Sequence, residues 1–342
     1  MRRFSSWLIS VSFMLVLASL VAASALVWWT YQPLNLKLEG SQDAVDLAIE
    51  PGTPARAVAQ MVSRLGVHGD SRVDEVLWYA WFRLSGKSRQ IKAGSYEIEK
   101  GTSPKDLLQK LVQGEEAFRA VTIVEGWTFR QVRNLLSKAE HLSQQTRGLE
   151  AGFIMEKLGK PGMAPEGRFY PDTYTYAKGS TDLALLKRAM RAMDRQLDAA
   201  WQQHSAESPL KSPEQALTLA SIIEKETGRA SDRPLIGGVF SNRLKIGMML
   251  QTDPSVIYGL GDQFDGNLRK RDLLSDTPWN TYTRTGLPPT PIAMPGKAAL
   301  MAAVQPAPTR ALYFVARGDG TSQFSESLAD HNRAVNKYQR GK

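Results

Sequence analysis

The chain of 342 residues contains no cysteine, which removes disulfides, thiolate nucleophiles and thiolate metal sites together. Histidine is also scarce. His68, His141, His204 and His331 lie far apart in the sequence and none sits in an HExxH pattern, so no metal site is expected. There is no G-x-S-x-G elbow, no S-x-x-K pair, no Walker loop and no Gly-rich dinucleotide fingerprint, which leaves serine nucleophiles, nucleotides and redox cofactors without a local signature. No cofactor is expected. Positive charge exceeds negative, 43 Lys and Arg against 34 Asp and Glu, but the basic residues are scattered, without the basic runs and interleaved aromatics of nucleic-acid modules. Phospholipid head groups and anionic cell-wall polymers fit the net charge of +9, and nucleic acid is not an expected partner.

What is present first is one long apolar run. From Trp7 to Trp29 no residue is charged, which allows a helix of roughly 34 Å at about 1.5 Å per residue, enough to cross a bilayer. Arg2 and Arg3 precede it, and Trp28, Trp29 and Tyr31 close it where amphipathic rings favour the head-group layer. The positive-inside rule then keeps the N-terminus in the cytoplasm and exports the rest. Ala23-Ser24-Ala25 has the form of a signal-peptide cleavage site, but the apolar run continues past it, which favours a single-pass anchor. The expected organisation is a short cytoplasmic end and transmembrane helix over 1–31, a spacer over 32–44, a small module over 45–120 and a larger α+β domain over 121–342.

Within the small module Val45-Asp46-Leu47-Ala48-Ile49 alternates like a strand, and Pro51-Gly52-Thr53-Pro54 predicts a turn with Thr53 as helix cap. One helix is expected to run to about Leu65 and a second from about Val73 to Leu84, followed by a strand within Ile91 to Ile98. Lys100-Gly101-Thr102-Ser103-Pro104 repeats the turn-and-cap chemistry. This β-α-α-β order, with its Pro-Gly-Thr turn, is similar to a LysM-type carbohydrate-binding module. The large domain is read as a strand over 121–126, helices near 129–138, 181–203 and 212–227, and strand-like stretches at 248–251 and 311–317. Proline and glycine clustered from Gly286 to Gly296 predict a long ordered loop.

With thiols, metals and serine elbows set aside, chemistry falls to carboxylates. The helix from Pro213 to Thr227 ends in Glu224-Lys225-Glu226. At about 100° per residue both glutamates border the apolar arc, Glu224 between Leu217 and Ala220 and Glu226 beside Leu219, so the wheel does not choose between them. A carboxyl held against apolar side chains has its charged form disfavoured, so its pKa rises and it can serve as a proton donor near neutrality. That is the requirement of glycosidic cleavage.

The stretch Ala220-Ser221-Ile222-Ile223-Glu224-Lys225-Glu226-Thr227, followed by Ser241-Asn242-Arg243-Leu244 and Leu250-Gln251-Thr252-Asp253-Pro254, closely resembles the endolytic murein transglycosylase family (MltG, YceG-like). Glu166-Gly167-Arg168-Phe169-Tyr170-Pro171, Asn280-Thr281-Tyr282, Gly286-Leu287-Pro288-Pro289 and Leu312-Tyr313-Phe314-Val315 extend the likeness over most of the chain. It departs from the family's pattern where Thr321-Ser322-Gln323 stands in place of a Gly-His pair before Phe324, and where Thr290 replaces a glycine.

The resemblance implies Glu224 as catalytic acid and base, with Glu166, Gln251, Thr252, Asp253, Asn280 and Tyr282 lining a sugar cleft. It implies non-hydrolytic cleavage of the MurNAc–GlcNAc β-1,4 bond in nascent peptidoglycan glycan strands, leaving 1,6-anhydro ends and terminating elongation. It also implies a bacterial inner-membrane enzyme with a periplasmic catalytic domain and peptidoglycan synthases as partners. A hydrolase pairing Glu224 with Glu166 or Asp253, and a non-catalytic wall-binding scaffold, are the alternative readings.

Overall fold

The computed structural model describes residues 2–38, 43–66, 72–114 and 118–341, with residues 2–12 described by backbone alone. The chain divides into two compact units, one of residues 1–119 with 177–179 and one of residues 120–176 with 180–342.

The first unit begins with helix α1 (Arg2–Thr30), whose apolar side chains stay exposed from Phe13 onward, Leu17 to 52% and Leu20 to 60%. A helix so apolar and so bare matches lipid better than water, and it is the one helix among the described residues long and apolar enough to cross a membrane. After it come β1 (Ala44–Ile49), α2 (Ala55–Ser63), α3 (Arg72–Leu84), β2 (Gly94–Glu99) and α4 (Pro104–Gln113). β1 and β2 pair antiparallel with Leu47 opposite Tyr96 and Ile49 opposite Gly94. Their inward residues close over Val58, Phe82, Tyr96, Ile98, Leu107 and Leu111.

Two local expectations change in this unit. Thr53 does not cap α2; its hydroxyl donates to the Glu50 carbonyl at 2.7 Å and closes the turn, leaving Pro54 at the cap position. The second turn does carry a side-chain cap: Ser103 accepts from the Asp106 amide, Asp106 reaches back to the Ser103 amide, and Pro104 holds the first helical position. The described part of the expected spacer is packed rather than free, because Leu34, Leu36 and Leu38 are apolar and find cover. Leu36 is buried, the Leu34 amide donates to Thr102 at 2.9 Å and the Lys37 amide to Leu65 at 2.7 Å. Residues 39–42 of that expected spacer lie outside the described residues.

The second unit holds most of β3 (Phe118–Thr122) and of β4 (Thr173–Ala177), which form a two-stranded sheet, with α5 (Phe129–Ser137), α6 (Ala151–Lys157) and the start of α7 (Asp182–Trp201) around it. Phe129, Val132, Ile154, Phe169 and Leu186 form its core. A second core surrounds α8 (Pro213–Glu226), packed by α9 (Arg233–Lys245) and α12 (Lys297–Val304). α8 starts at the Ser212 cap and is buried at every position from Ala216 to Glu224. Between α9 and α12 lie α10 (Asp253–Leu260) and α11 (Lys270–Leu274); the chain ends with the hairpin β5 (Tyr313–Ala316) and β6 (Ser322–Ser325), Phe314 opposite Phe324, then α13 (Leu328–Gln339).

The stretch 248–251 expected as a strand is a loop. Arg243 takes the carbonyls of Met249 at 3.2 Å and Leu250 at 2.8 Å, and Gln251 turns the backbone to φ 49°, so no ladder can form. The strand expected within 311–317 is present over Tyr313–Ala316.

The contact of α9 with α12 is close because Gly237 has no side chain: a Cβ there would lie 2.2 Å from the Ala302 carbonyl oxygen. Gly237→Ala is therefore expected to cost about 1–3 kcal/mol through overpacking. Gly152→Ala in α6, where a Cβ meets nothing within 4 Å, is expected to gain about 0.4–1 kcal/mol by restricting the unfolded chain. Urea midpoints moving in opposite directions confirm the pair; a neutral Gly237→Ala would mean the two helices have room to spare.

Candidate active site

The last turn of α8 leaves the core with its two glutamates in different surroundings. Glu224 is buried, its side chain 4% exposed. One carboxylate oxygen accepts from the Arg233 guanidinium at 2.9 Å and the other from the Gly296 amide at 2.8 Å. Burial raises its pKa, and the Gly296 amide and Arg233 oppose that rise. Arg233 also reaches Glu125 at 3.8 Å, and the Glu125 carboxylate lies where a Cβ on Gly296 would be. Glu224 thus fastens α8, α9 and the 286–296 loop. Each of its oxygens accepts one of these two bonds and keeps a further lone pair.

Glu226 emerges half-buried one turn-edge later. Its pKa is pushed up to about 7, first by burial and then by the negative charge of Asp253, against a lowering by Thr252 and Arg243. The Thr252 hydroxyl is near enough to act on it, yet that buried oxygen makes no hydrogen bond of sound geometry and stays unsatisfied. A carboxyl whose charged form is disfavoured in this way, with an unsatisfied hydroxyl at its side, is a candidate proton donor.

Around Glu226 stand several of the residues nominated from the sequence. Asp253 opens α10 and accepts the Tyr282 hydroxyl at 2.6 Å, which fixes both side chains. The Tyr282 hydroxyl is held neutral well above its usual range by burial and by Asp253. The Thr252 amide donates to Thr281 Oγ1 at 2.9 Å and the Gln251 amide to the Thr281 carbonyl at 3.0 Å, so the 251–253 corner is pinned from behind while the Gln251 side chain is exposed.

Asn280 and Glu166 have other partners. Asn280 is fully buried; its amide donates to the carbonyls of Leu273 and Ser275, and its oxygen accepts from the Tyr282 amide. It shapes the loop that presents Tyr282. Glu166 is buried too, accepting from the Phe129 amide at 2.9 Å and the Tyr258 hydroxyl at 3.1 Å, and desolvation lifts its pKa to about 7. It ties the first turn of α5 to α10.

Arg243 was visible in the sequence only as part of a motif, and its work is done through backbone. Its guanidinium donates to Leu312 at 2.6 Å and to the carbonyls of Met249 and Leu250, and lies over the Tyr313 ring at 5.2 Å. Tyr313 in turn stacks on His331 at 5.2 Å. This buried cation positions the 249–253 corner and faces Glu226 electrostatically. Nothing in the period of α9 marks it; a charged residue amid buried Val239, Phe240 and Ser241 was the available signal. Among the described residues no three His, Asp or Glu side chains converge as metal ligands.

Because the folded state lifts the Glu226 pKa above its ordinary 4.5, the folded form holds that proton more firmly than the unfolded chain. The group's favourable contribution is complete below about pH 4.5 and disappears as pH climbs through about 7. Glu226→Gln is therefore expected to be more resistant to urea than the parent at about pH 8, with the difference shrinking toward about pH 4. Carboxyl NMR on Asp253→Asn should find Glu226 titrating lower than in the parent, since a neighbouring negative charge is gone. An unchanged midpoint would separate the two groups.

The sequence profile of the YceG-like family matches residues 47–337. The chain is 31% identical over 317 residues to the endolytic murein transglycosylase of Bacillus subtilis (strain 168), covering 87% of this chain and 86% of that one. It is 26% identical to the endolytic murein transglycosylase of Streptococcus pneumoniae serotype 2, over 95% of this chain, and spans 64% of the pneumococcal protein's length. Among solved structures, a putative YceG-like protein from Listeria monocytogenes superposes with a TM-score of 0.53 at 25% identity, over 86% of this chain and 99% of that one. By the extent of the profile match and by the Bacillus and Streptococcus relatives, both named endolytic murein transglycosylases, the chain belongs to the YceG-like family.

Proposed function

We propose that the protein is a peptidoglycan lytic transglycosylase that cuts glycan strands endolytically, with Glu226 as its acid and base. The observation that carries this reading is the pairing of a partly buried Glu226, its pKa raised to about 7, with the Thr252, Asp253 and Tyr282 corner. The names of the Bacillus and Streptococcus relatives supply the substrate class. Family resemblance points to Glu224 instead; we favour Glu226 because Glu224 is ion-paired with Arg233 and bonded to the Gly296 amide, whereas Glu226 lies beside the Thr252 and Asp253 corner.

Protonated Glu226 gives its proton to the glycosidic oxygen between MurNAc and GlcNAc as the C1–O bond breaks through an oxocarbenium-like transition state. The same carboxylate then takes the proton of the MurNAc C6 hydroxyl as that oxygen bonds to C1, which restores the acid and leaves a 1,6-anhydro end. Water is not consumed and one carboxyl serves both steps. Exposed Gln251 and Asp253, with partly buried Tyr282, offer hydrogen-bonding groups to sugar hydroxyls and N-acetyl groups. Thr252 would complete its unsatisfied hydroxyl on the substrate or on Glu226.

The bare α1 supports single-pass anchoring in the bacterial inner membrane, with the N-terminus cytoplasmic and the second unit periplasmic. An anchored enzyme acts on glycan near the membrane, where strands are made, so nascent strands are the substrate and termination of elongation the result. Peptidoglycan synthases are the matching partners, and the LysM-like module a second point of glycan contact.

Asp253 beside Glu226 favours one second reading, a two-carboxylate hydrolase. Incubation of the detergent-solubilised full chain with isolated glycan separates the readings by mass spectrometry: anhydro ends for the lytic reaction, reducing MurNAc ends for hydrolysis, intact strands for a scaffold. Glu226→Gln is expected to lose about 10²–10⁴-fold in cleavage while still binding glycan. Glu224→Gln is expected to lose more stability than turnover, because it neutralises one member of a buried pair. Full activity in Glu226→Gln, or selective loss in Glu224→Gln with an unchanged melting temperature, returns the role to Glu224.

A further inference from the structure

Helix α3 is apolar on two sides. Trp78 and Phe82 point inward and are buried. At about 100° per residue, Val76, Ala80, Val73, Leu84 and Leu77 fall together on the opposite arc. Val73 and Val76 are each 65% exposed and Leu84 is 72% exposed, while the exposed Arg72, Arg83 and Lys87 border the arc. A helix apolar on both faces ordinarily has both covered. An exposed apolar stripe edged by basic residues has the make-up of a helix lying in a membrane interface.

The surroundings select a bilayer as the cover. Within the first unit α3 meets the end of α1 directly: the Trp29 and Trp78 rings pack edge to face at 5.1 Å. Lys105 of α4 donates to the Tyr31 hydroxyl at 3.1 Å, and Leu34 is bonded to Thr102. The module therefore begins where α1 ends, without a free tether between them. If α1 crosses a bilayer, its Trp28 to Tyr31 end marks the head-group layer, and the amino end of α3 starts beside that level.

We propose that the outer face of α3 seats in the head-group layer of the bilayer that α1 crosses, with Val73, Val76 and Leu84 among the acyl-chain ends and Arg72, Arg83 and Lys87 on anionic lipid phosphates. This rests on the reading of α1 as an anchor. Its consequence is that the small module lies on the membrane as a fixed base for the residues C-terminal to it, and those residues, rather than a flexible stalk, set the reach toward glycan.

The absence of cysteine makes the test direct. Full-length Val76→Cys and Leu84→Cys, with Leu17→Cys in α1 as reference, are each labelled with an environment-sensitive fluorophore and reconstituted in phosphatidylethanolamine–phosphatidylglycerol vesicles. Brominated lipids should remove most of the emission at Leu17, Val76 and Leu84, and iodide should have little effect on any of them. Quenching at Leu17 by bromolipid, with iodide quenching Val76 and Leu84 as freely as a water-exposed dye, overturns the seating of α3 and leaves the anchor standing. Labels at Val76 and Leu84 shielded from both quenchers overturn it in favour of a protein cover. Loss of bromolipid quenching at Leu17 itself overturns the anchor.

Discussion

A helix buried on all sides can present chemistry only at its end. α8 has no solvent face from Ala216 to Glu224, and that enclosure decides what its final turn can do. The helix cannot rotate or slide without driving Ile222, Ile223 and Leu219 out of a core in which they are fully buried. Transfer of such side chains to water costs about 1.5–3 kcal/mol each. Its two glutamates are consequently presented at fixed angles about 200° apart, one turned into the protein and the other toward the 251–253 corner.

The inward glutamate is made tolerable by an arrangement that also builds the site. Arg233 and the Gly296 amide satisfy Glu224, and in doing so draw the start of α9 and the 286–296 loop onto α8. Ser221 does the same one turn earlier, accepting the Ile292 amide at 3.0 Å. Arg243, farther along α9, then collects the carbonyls of Met249 and Leu250 and so brings Thr252 and Asp253 to the outward glutamate. Two buried arginines on one helix, ten positions apart in the sequence, serve opposite ends of one device. The first pairs with the Glu224 carboxylate, and the second places Asp253, whose charge adds to the burial that raises the Glu226 pKa.

Much of this was legible in the sequence because it is written in periodicity and caps. The apolar run of α1, the strand alternation of β1, the Ser-Pro start of α4 and the amphipathic α7 obey local rules. The extended reading of 248–251 failed for a nonlocal reason: Met248-Met249-Leu250 has the apolar content of a strand, but its carbonyls are claimed by an arginine from the preceding helix. The two glutamates were indistinguishable on a wheel, since both border its apolar arc. Their difference comes from Arg233, Gly296, Thr252 and Asp253, none of which the repeat of α8 can reveal. Asn280 illustrates the same limit. A polar residue in a motif reads as a ligand contact, whereas here its amide is wholly engaged by the backbone that presents Tyr282.

A raised pKa alone would not have selected the acid. Glu166 and Glu226 are both lifted to about 7, and burial is the first cause in both. They differ in what remains free. Glu166 receives a backbone amide on one oxygen and the Tyr258 hydroxyl on the other, and through them holds α5 to α10. Glu226 has a poorly aligned threonine hydroxyl beside it and the opposed fields of Asp253 and Arg243. Proton transfer needs a carboxyl oxygen within hydrogen-bond reach of the reacting atom before its acidity matters. On that order of requirements a raised pKa nominates an acid only after its oxygens are shown to have a lone pair within reach of the reacting atom.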